Sequence, residues 1–102
     1  MTSPLERLSA WYASQCDGEW EHGFGIEIGT LDNPGWSVEI DLQGTRLQGQ
    51  EFHAIEDRYD HDTDWLRCWT EGGSFHAACG PRRLEDALSV FLRWAEPAAG
   101  AV

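Results

Sequence analysis

Leu5, Leu8, Trp11, Tyr12 and Cys16 recur at the three- and four-residue spacing of one helical face. They follow Ser3-Pro4-Leu5-Glu6, which has the capping-box form: Ser as N-cap, Pro at the first helical position and Glu at the third. The pattern predicts a helix beginning here and ended by Asp17-Gly18, the glycine being free to take the left-handed C-terminal conformation.

From Phe24 the period becomes two. Phe24, Ile26 and Ile28 alternate with Gly25, Glu27 and Gly29, and Trp36, Val38, Ile40 and Leu42 alternate with Ser37, Glu39 and Asp41. These are two half-buried strands, and Asp32-Asn33-Pro34-Gly35 between them supplies Pro and Gly for a turn. Both apolar sets carry even numbers, so they share a face only if the loop holds an odd number of residues, three or five. Either loop sets Glu27 beside Glu39 or Asp41 on the opposite face, where facing like charges cost about 0.2–1 kcal/mol.

Residues 51–58, 64–71 and 74–78 read as three more strands, with Gly72-Gly73 as a two-residue hairpin turn. Leu66, Cys68, Thr70, Phe75 and Ala77 share one face, and Trp65, Arg67, Trp69 and His76 the other. Pro81 is expected to open a last helix whose Leu84, Ala87, Leu88, Phe91 and Ala95 form an apolar stripe, with Glu96-Pro97 ending it and the final "AAGAV" fraying. The expectation is an α+β fold: an antiparallel meander sheet of about five strands with an N-terminal and a C-terminal helix packed on one face.

The length of 102 residues fits a single domain, 1–102, with one core. A net charge of −11 argues against a nucleic-acid or anionic-membrane surface and for basic or neutral partners. The charge is uneven: seven acidic residues and no Arg lie between Leu8 and Thr45, and the chain has no Lys. Cys16, Cys68 and Cys79 cannot all pair within one chain, and no apolar run suits a signal sequence or a membrane span, which reads as a cytoplasmic, reduced protein.

Three chemical constellations have plainer explanations. Asp60, Asp62, Asp64 and Glu71 occupy positions 1, 3, 5 and 12 of a calcium-loop pattern, but Trp65 stands where the loop requires Gly, and a solvated acidic turn explains the run. Among Cys16, His22, His53, His61, Cys68, His76 and Cys79 only His76-x-x-Cys79 has close zinc-ligand spacing, and no metal or other cofactor is expected. In "CDGEWEHGFG", residues 16–25, Cys16 with His22 could pair as nucleophile and base, or Glu19 with Glu21 as acid and base. No glycine-rich phosphate loop or nucleophile elbow accompanies them, so an enzyme is not expected.

The stretch "WYASQCDGEWEHGFGIEIGTLDNPGWSVEIDL", residues 11–42, resembles the immunity protein 53 family of bacterial polymorphic toxin systems. The resemblance continues through "GTRLQGQEF", residues 44–52, and "GPRRLEDALSVFLRWA", residues 80–95, with residues 53–79 matching in outline. It rests on Cys16, Asp17, Trp20, Glu21, His22, Asn33, Pro34, Gly35 and Trp36. It implies a small cytoplasmic immunity-protein domain that binds and neutralises a cognate toxin without catalysis.

An acidic chain suits a stoichiometric inhibitor of a basic toxin domain. The expected partner-binding face is Asp17, Glu19, Glu21, Glu27, Glu39 and Asp41, with Trp20 as an anchor at its edge and His22 and Trp36 beside it; the plainer reading of Trp20 and Trp36 is as core or half-core residues bordering the sheet. Trp65, Arg67, Trp69 and His76 form a second-choice surface. Two other readings stand beside these: the charge serves solubility alone, or exposed tryptophans stack on a sugar or base in a small-ligand site.

Overall fold

Ser3 and Glu6 cap the first helix reciprocally: the Glu6 N–H donates to the Ser3 hydroxyl and the Ser3 N–H to the Glu6 carboxylate, each at 3.1 Å. In the computed structural model, which describes residues 2–58 and 61–96, α1 spans Pro4–Gln15 and buries Leu8 and Trp11. The helix ends earlier than the expected Asp17-Gly18 stop: Cys16 is its C-cap in an extended conformation, and Gly18, with a φ of +94°, lies in the turn that follows and not at the helix end. Asp60 and the expected frayed tail lie outside the described residues.

A second, one-turn helix, α2 (Trp20–Gly23), was not expected from the periodicity. The strands are β1 (Ile26–Leu31), β2 (Gly35–Asp41), β3 (Ile55–Asp57), β4 (Leu66–Glu71) and β5 (Ser74–Cys79), followed by α3 (Leu84–Ala95). Leu31 pairs with Gly35 across a three-residue loop, and Ile26, Ile28 and Thr30 face Ile40, Val38 and Trp36, as pleat parity demands. Gly72 and Gly73, with φ of +62° and +83°, form the turn between Glu71 and Ser74, a backbone that β-carbons strongly disfavour.

All pairings are antiparallel, but the order β1-β2-β5-β4-β3 departs from a simple meander. β3, β4 and β5 form a meander, and β5 then pairs with β2, so the chain between Asp41 and Ile55 carries the backbone to the far edge. Alternation alone cannot register this, because it fixes a strand's face and not its neighbour.

β3 is also shorter than the alternation over 51–58 implies. Phe52 is drawn from a loop onto Phe75 and Trp94, with ring centroids 5.4 and 5.1 Å away, and the Glu51 carbonyl accepts the Trp94 indole N–H. Pro81 precedes the last helix instead of opening it. Pro81 and Arg82 lie in a turn closed by Arg83 N–H to the Gly80 carbonyl, and α3 begins at Leu84.

Leu66, Cys68, Phe75, Ala77 and Cys79 are buried on the face covered by α1 and α3, where they meet Ala87, Leu88, Phe91 and Leu92. Trp11 crosses Phe91 edge-on at 5.0 Å, and Phe91 packs on Phe75 at 5.1 Å, so aromatic contacts join both long helices to the sheet. Such contacts contribute about 0.5–1.5 kcal/mol each beyond the area they bury. Arg83, only 16% exposed, fans out to Asp57 (2.9 Å), Asp64 (3.1 Å) and Asp86 (2.6 Å), tying β3, the segment before β4 and the start of α3. Burial by itself lowers the Arg83 pKa, but hydrogen bonds to the three carboxylates outweigh it and leave the guanidinium held above its ordinary value.

Two glycines serve close approach. A β-carbon on Gly35 collides with the Cys79 carbonyl, and one on Gly80 with the Thr63 carbonyl; around Gly23 there is open space. Gly35→Ala and Gly80→Ala are each expected to destabilise the fold by more than about 2 kcal/mol, whereas Gly23→Ala changes it by about 1 kcal/mol or less. Urea unfolding midpoints of the three variants check this.

Candidate functional site

Because α1 and α3 cover one face of the sheet, the other is open, and the strand registers determine which side chains it carries. One row across it reads Glu27, Glu39, His76 and Trp69 on β1, β2, β5 and β4. The next reads Gly29, Ser37, Ala78, Arg67 and Glu56, small in the middle and charged at the β3 edge. The small residues leave a shallow open groove of about 680 Å³ bordered by Glu27, Glu39, His76, Trp69 and Leu31.

The expected acidic face and the second-choice surface therefore meet in one place. Glu39 is the cross-strand partner of His76, whose ring stacks on Trp69 at 5.3 Å with 15° between planes. Arg67 places its guanidinium 4.4 Å from the Trp69 ring centroid, and the Trp69 indole N–H donates to Glu71 at 3.2 Å. Trp65, just before β4, is half-buried, and its carbonyl accepts the Gly80 N–H at 2.9 Å.

A second hollow of about 350 Å³ adjoins the groove. It is lined by Glu21, His22, Glu27, Glu39 and Asp41, so residues from the 16–25 cluster and from both strands of the first hairpin face a common space. Glu27 and Glu39 are exposed, stand directly opposite each other and have no ion-pair partner among the described residues. Among the described residues the acidic side chains in ion pairs, Glu56, Asp57, Asp64, Asp86 and Glu96, all lie outside residues 17–41.

Other expected face residues turn out to build the scaffold. Trp20 is 6% exposed and packs edge-on against Trp11, while its indole N–H donates to the Gln43 carbonyl at 2.8 Å; it is a core residue and offers no surface anchor. Trp36 lies on the helix-covered face, packs against the core and donates to the Pro81 carbonyl at 3.0 Å. Asp41 accepts from the Gly25 N–H at 2.9 Å and the buried Ser74 hydroxyl at 3.1 Å, fastening the starts of β1 and β5.

The opening of the cluster is a turn device. Asp17 accepts from the Glu19 and Trp20 N–H groups, each at 2.9 Å, and Glu21 accepts from Asp17 and Gly18 at 3.0 and 2.8 Å. Trp20 and Glu19 N–H groups hold the Asp17 carboxyl below its ordinary range, and the Glu21 carboxyl is lowered by its own N–H and by those of Asp17 and Gly18. Glu19 and His22 are exposed on either side of this turn. An Asp two or three residues before a helical start is a legible cap, and is the signal by which α2 could have been found.

The metal and thiol constellations are separated by the fold. His76 and Cys79 point to opposite faces of β5, and Asp64 is engaged by Arg58 and Arg83. Among the described residues no group of three or more His, Cys, Asp or Glu could hold a metal ion. Cys68 and Cys79 are fully buried, and burial pushes the Cys68 thiol up to about 12, far from a nucleophile's range. The Cys16 thiol is directed at the Tyr12 carbonyl, 3.4 Å away.

A family model described as immunity protein 53 matches residues 5–96, nearly the whole chain. The chain belongs to the immunity protein 53 family. Neither a curated protein nor a solved structure matches it.

Two outcomes follow from this geometry. A thiol reagent is expected to modify Cys16 in the native protein and to reach Cys68 and Cys79 only on unfolding, which thiol counting with and without guanidinium measures. The lowered carboxyls of Asp17 and Glu21 contribute stability that is complete above their ordinary values of 3.8 and 4.5 and is lost as pH falls through the lower values held in the fold. Asp17→Asn with Glu21→Gln is expected to flatten the acid limb of a stability-against-pH curve while leaving the neutral plateau folded.

Proposed function

We propose that this member of the immunity protein 53 family is a cytoplasmic, stoichiometric inhibitor that neutralises a basic toxin domain through its open, acidic sheet face. On that face Glu27 of the edge strand β1 stands opposite Glu39 of β2, with Glu21 and His22 in the adjoining hollow and His76 and Trp69 further across the sheet. The observation that carries the reading is the uncompensated Glu27–Glu39 pair. Two carboxylates directly opposite on neighbouring strands cost the free fold about 0.2–1 kcal/mol, a cost that a basic partner turns into attraction.

The form of the site also favours a protein partner. The groove is wide and shallow, and Trp69, which a sugar or base would need as a platform, is already stacked on His76 with Arg67 over its ring. A flat acidic surface accelerates encounter with a basic protein and orients the complex, at the cost of salt sensitivity. No helix among the described residues is long and apolar enough to cross a membrane.

The test is co-expression with the toxin domain encoded beside this gene, scoring growth and co-purification. Wild type is expected to rescue growth and form a one-to-one, salt-sensitive complex. Glu27→Lys, which can pair with Glu39 and so keeps or improves the fold, is expected to weaken the complex at least about tenfold and abolish rescue. Unchanged affinity and salt dependence in a folded Glu27→Lys protein would remove this face as the binding surface and leave its charge to solubility.

A further inference from the structure

The outer edge of β1 is unpaired, and the bonding pattern identifies its free groups. The Asp41 N–H donates to the Gly25 carbonyl at 3.0 Å, so 25/41 is a hydrogen-bonded pair. Antiparallel alternation makes 27/39, 29/37 and 31/35 bonded pairs in turn and directs the N–H and C=O of Ile26, Ile28 and Thr30 away from β2. Among the described residues these groups find no partner. β1 has no Pro, no Lys and an unbroken register with β2, and its one charged side chain is the acidic Glu27, which guards the edge against another acidic chain and not against a basic one.

The surroundings of this edge differ on its two sides. On the helix side lies a hollow of about 390 Å³ lined by Leu8, Ser9, Tyr12 and Ile26. Among the described residues the exposed large apolar side chains are Leu5 and Tyr12 on α1, Ile28 on β1 and Phe24 just before it, Phe24 lining the hollow that holds Glu21 and His22. On the open side stand Glu27 and Glu39 with the two acidic hollows. One edge thus presents backbone donors and acceptors, an apolar flank and an acidic flank.

We propose that the partner adds a strand to β1, extending the sheet to six strands, with alternate side chains apolar toward Ile28 and Tyr12 and basic toward Glu27 and Glu39. Strand addition supplies main-chain affinity, and the alternation supplies specificity. A second copy of this chain matches the apolar flank but brings another net charge of −11 and a second Glu27–Glu39 pair to the same edge, whereas a basic segment satisfies both flanks. The inference rests on the inhibitor reading and goes beyond it by naming the secondary structure and residue pattern of the toxin's contact.

The test is amide hydrogen exchange on the wild-type complex with the co-expressed toxin domain, and on the free protein. In the free protein the Ile28 and Thr30 amides are expected to exchange quickly and those of Glu27 and Gly29 slowly. In the complex the Ile28 and Thr30 amides should slow at least about tenfold, erasing the alternation. Ile28→Pro removes only an outward N–H, so it should leave the free fold intact by circular dichroism while weakening the complex at least about tenfold. A wild-type complex that still rescues growth but leaves Ile28 and Thr30 fast overturns strand addition and spares the inhibitor reading. Dimerisation of the free chain through β1 overturns the choice of occupant, and absence of any complex or rescue with wild type overturns both readings.

Discussion

A side chain on a strand can reach only one face of its sheet, and two tight connections carry that alternation through this molecule without a slip. The three-residue loop after Leu31 keeps even-numbered residues of β1 and β2 together, and the Gly72-Gly73 turn keeps Thr70 opposite Phe75. Once β2 pairs with β5, all apolar sets fall on one side and receive α1 and α3. Everything left over, including Glu27, Glu39, His76, Trp69 and Arg67, is forced onto the other. The open face is therefore a by-product of core formation in its position, though not in its chemistry.

Holding that sheet requires the irregular segments to stay in place, and indole hydrogen bonds do much of this. Indole N–H groups of Trp20, Trp36 and Trp94 each donate to a loop carbonyl, at Gln43, Pro81 and Glu51. A large aromatic body packed in or against the core thus fixes a backbone position outside the ladders, and its own polar atom is satisfied in the same bond. Arg83 acts similarly at the opposite edge, collecting three carboxylates that would otherwise repel. The division of labour leaves charge neutralised around α3 and β3 and unneutralised along β1 and β2.

Most of the candidate site's composition was legible and its assembly was not. The facing of Glu27 with Glu39 follows from parity and a short loop. The meeting of that pair with His76 and Trp69 depends on β2 lying beside β5, a contact between residues more than thirty positions apart in the chain. Trp20 and Trp36 read either as core or half-core residues bordering the sheet or as part of the partner-binding face, and the structure takes the first: one is packed on Trp11 and the other lies on the helix side. Asp17, Glu21 and Asp41 read as surface charge, while the structure employs their oxygens to accept backbone N–H groups or a buried hydroxyl.

By itself the sequence determined the helices' faces, the cap at Ser3, the two hairpin turns and the alternation of every strand but the third. These are set by interactions within a few residues: cap hydrogen bonds, glycine's access to positive φ and the two-residue period of the pleat. Only the tertiary structure decided the strand order, the capture of Phe52 by the core, the late start of α3 and the union of the acidic and aromatic surfaces. Those outcomes turn on which distant segments bury the most apolar surface together while leaving no backbone group unpaired in the interior, and no local pattern encodes that comparison.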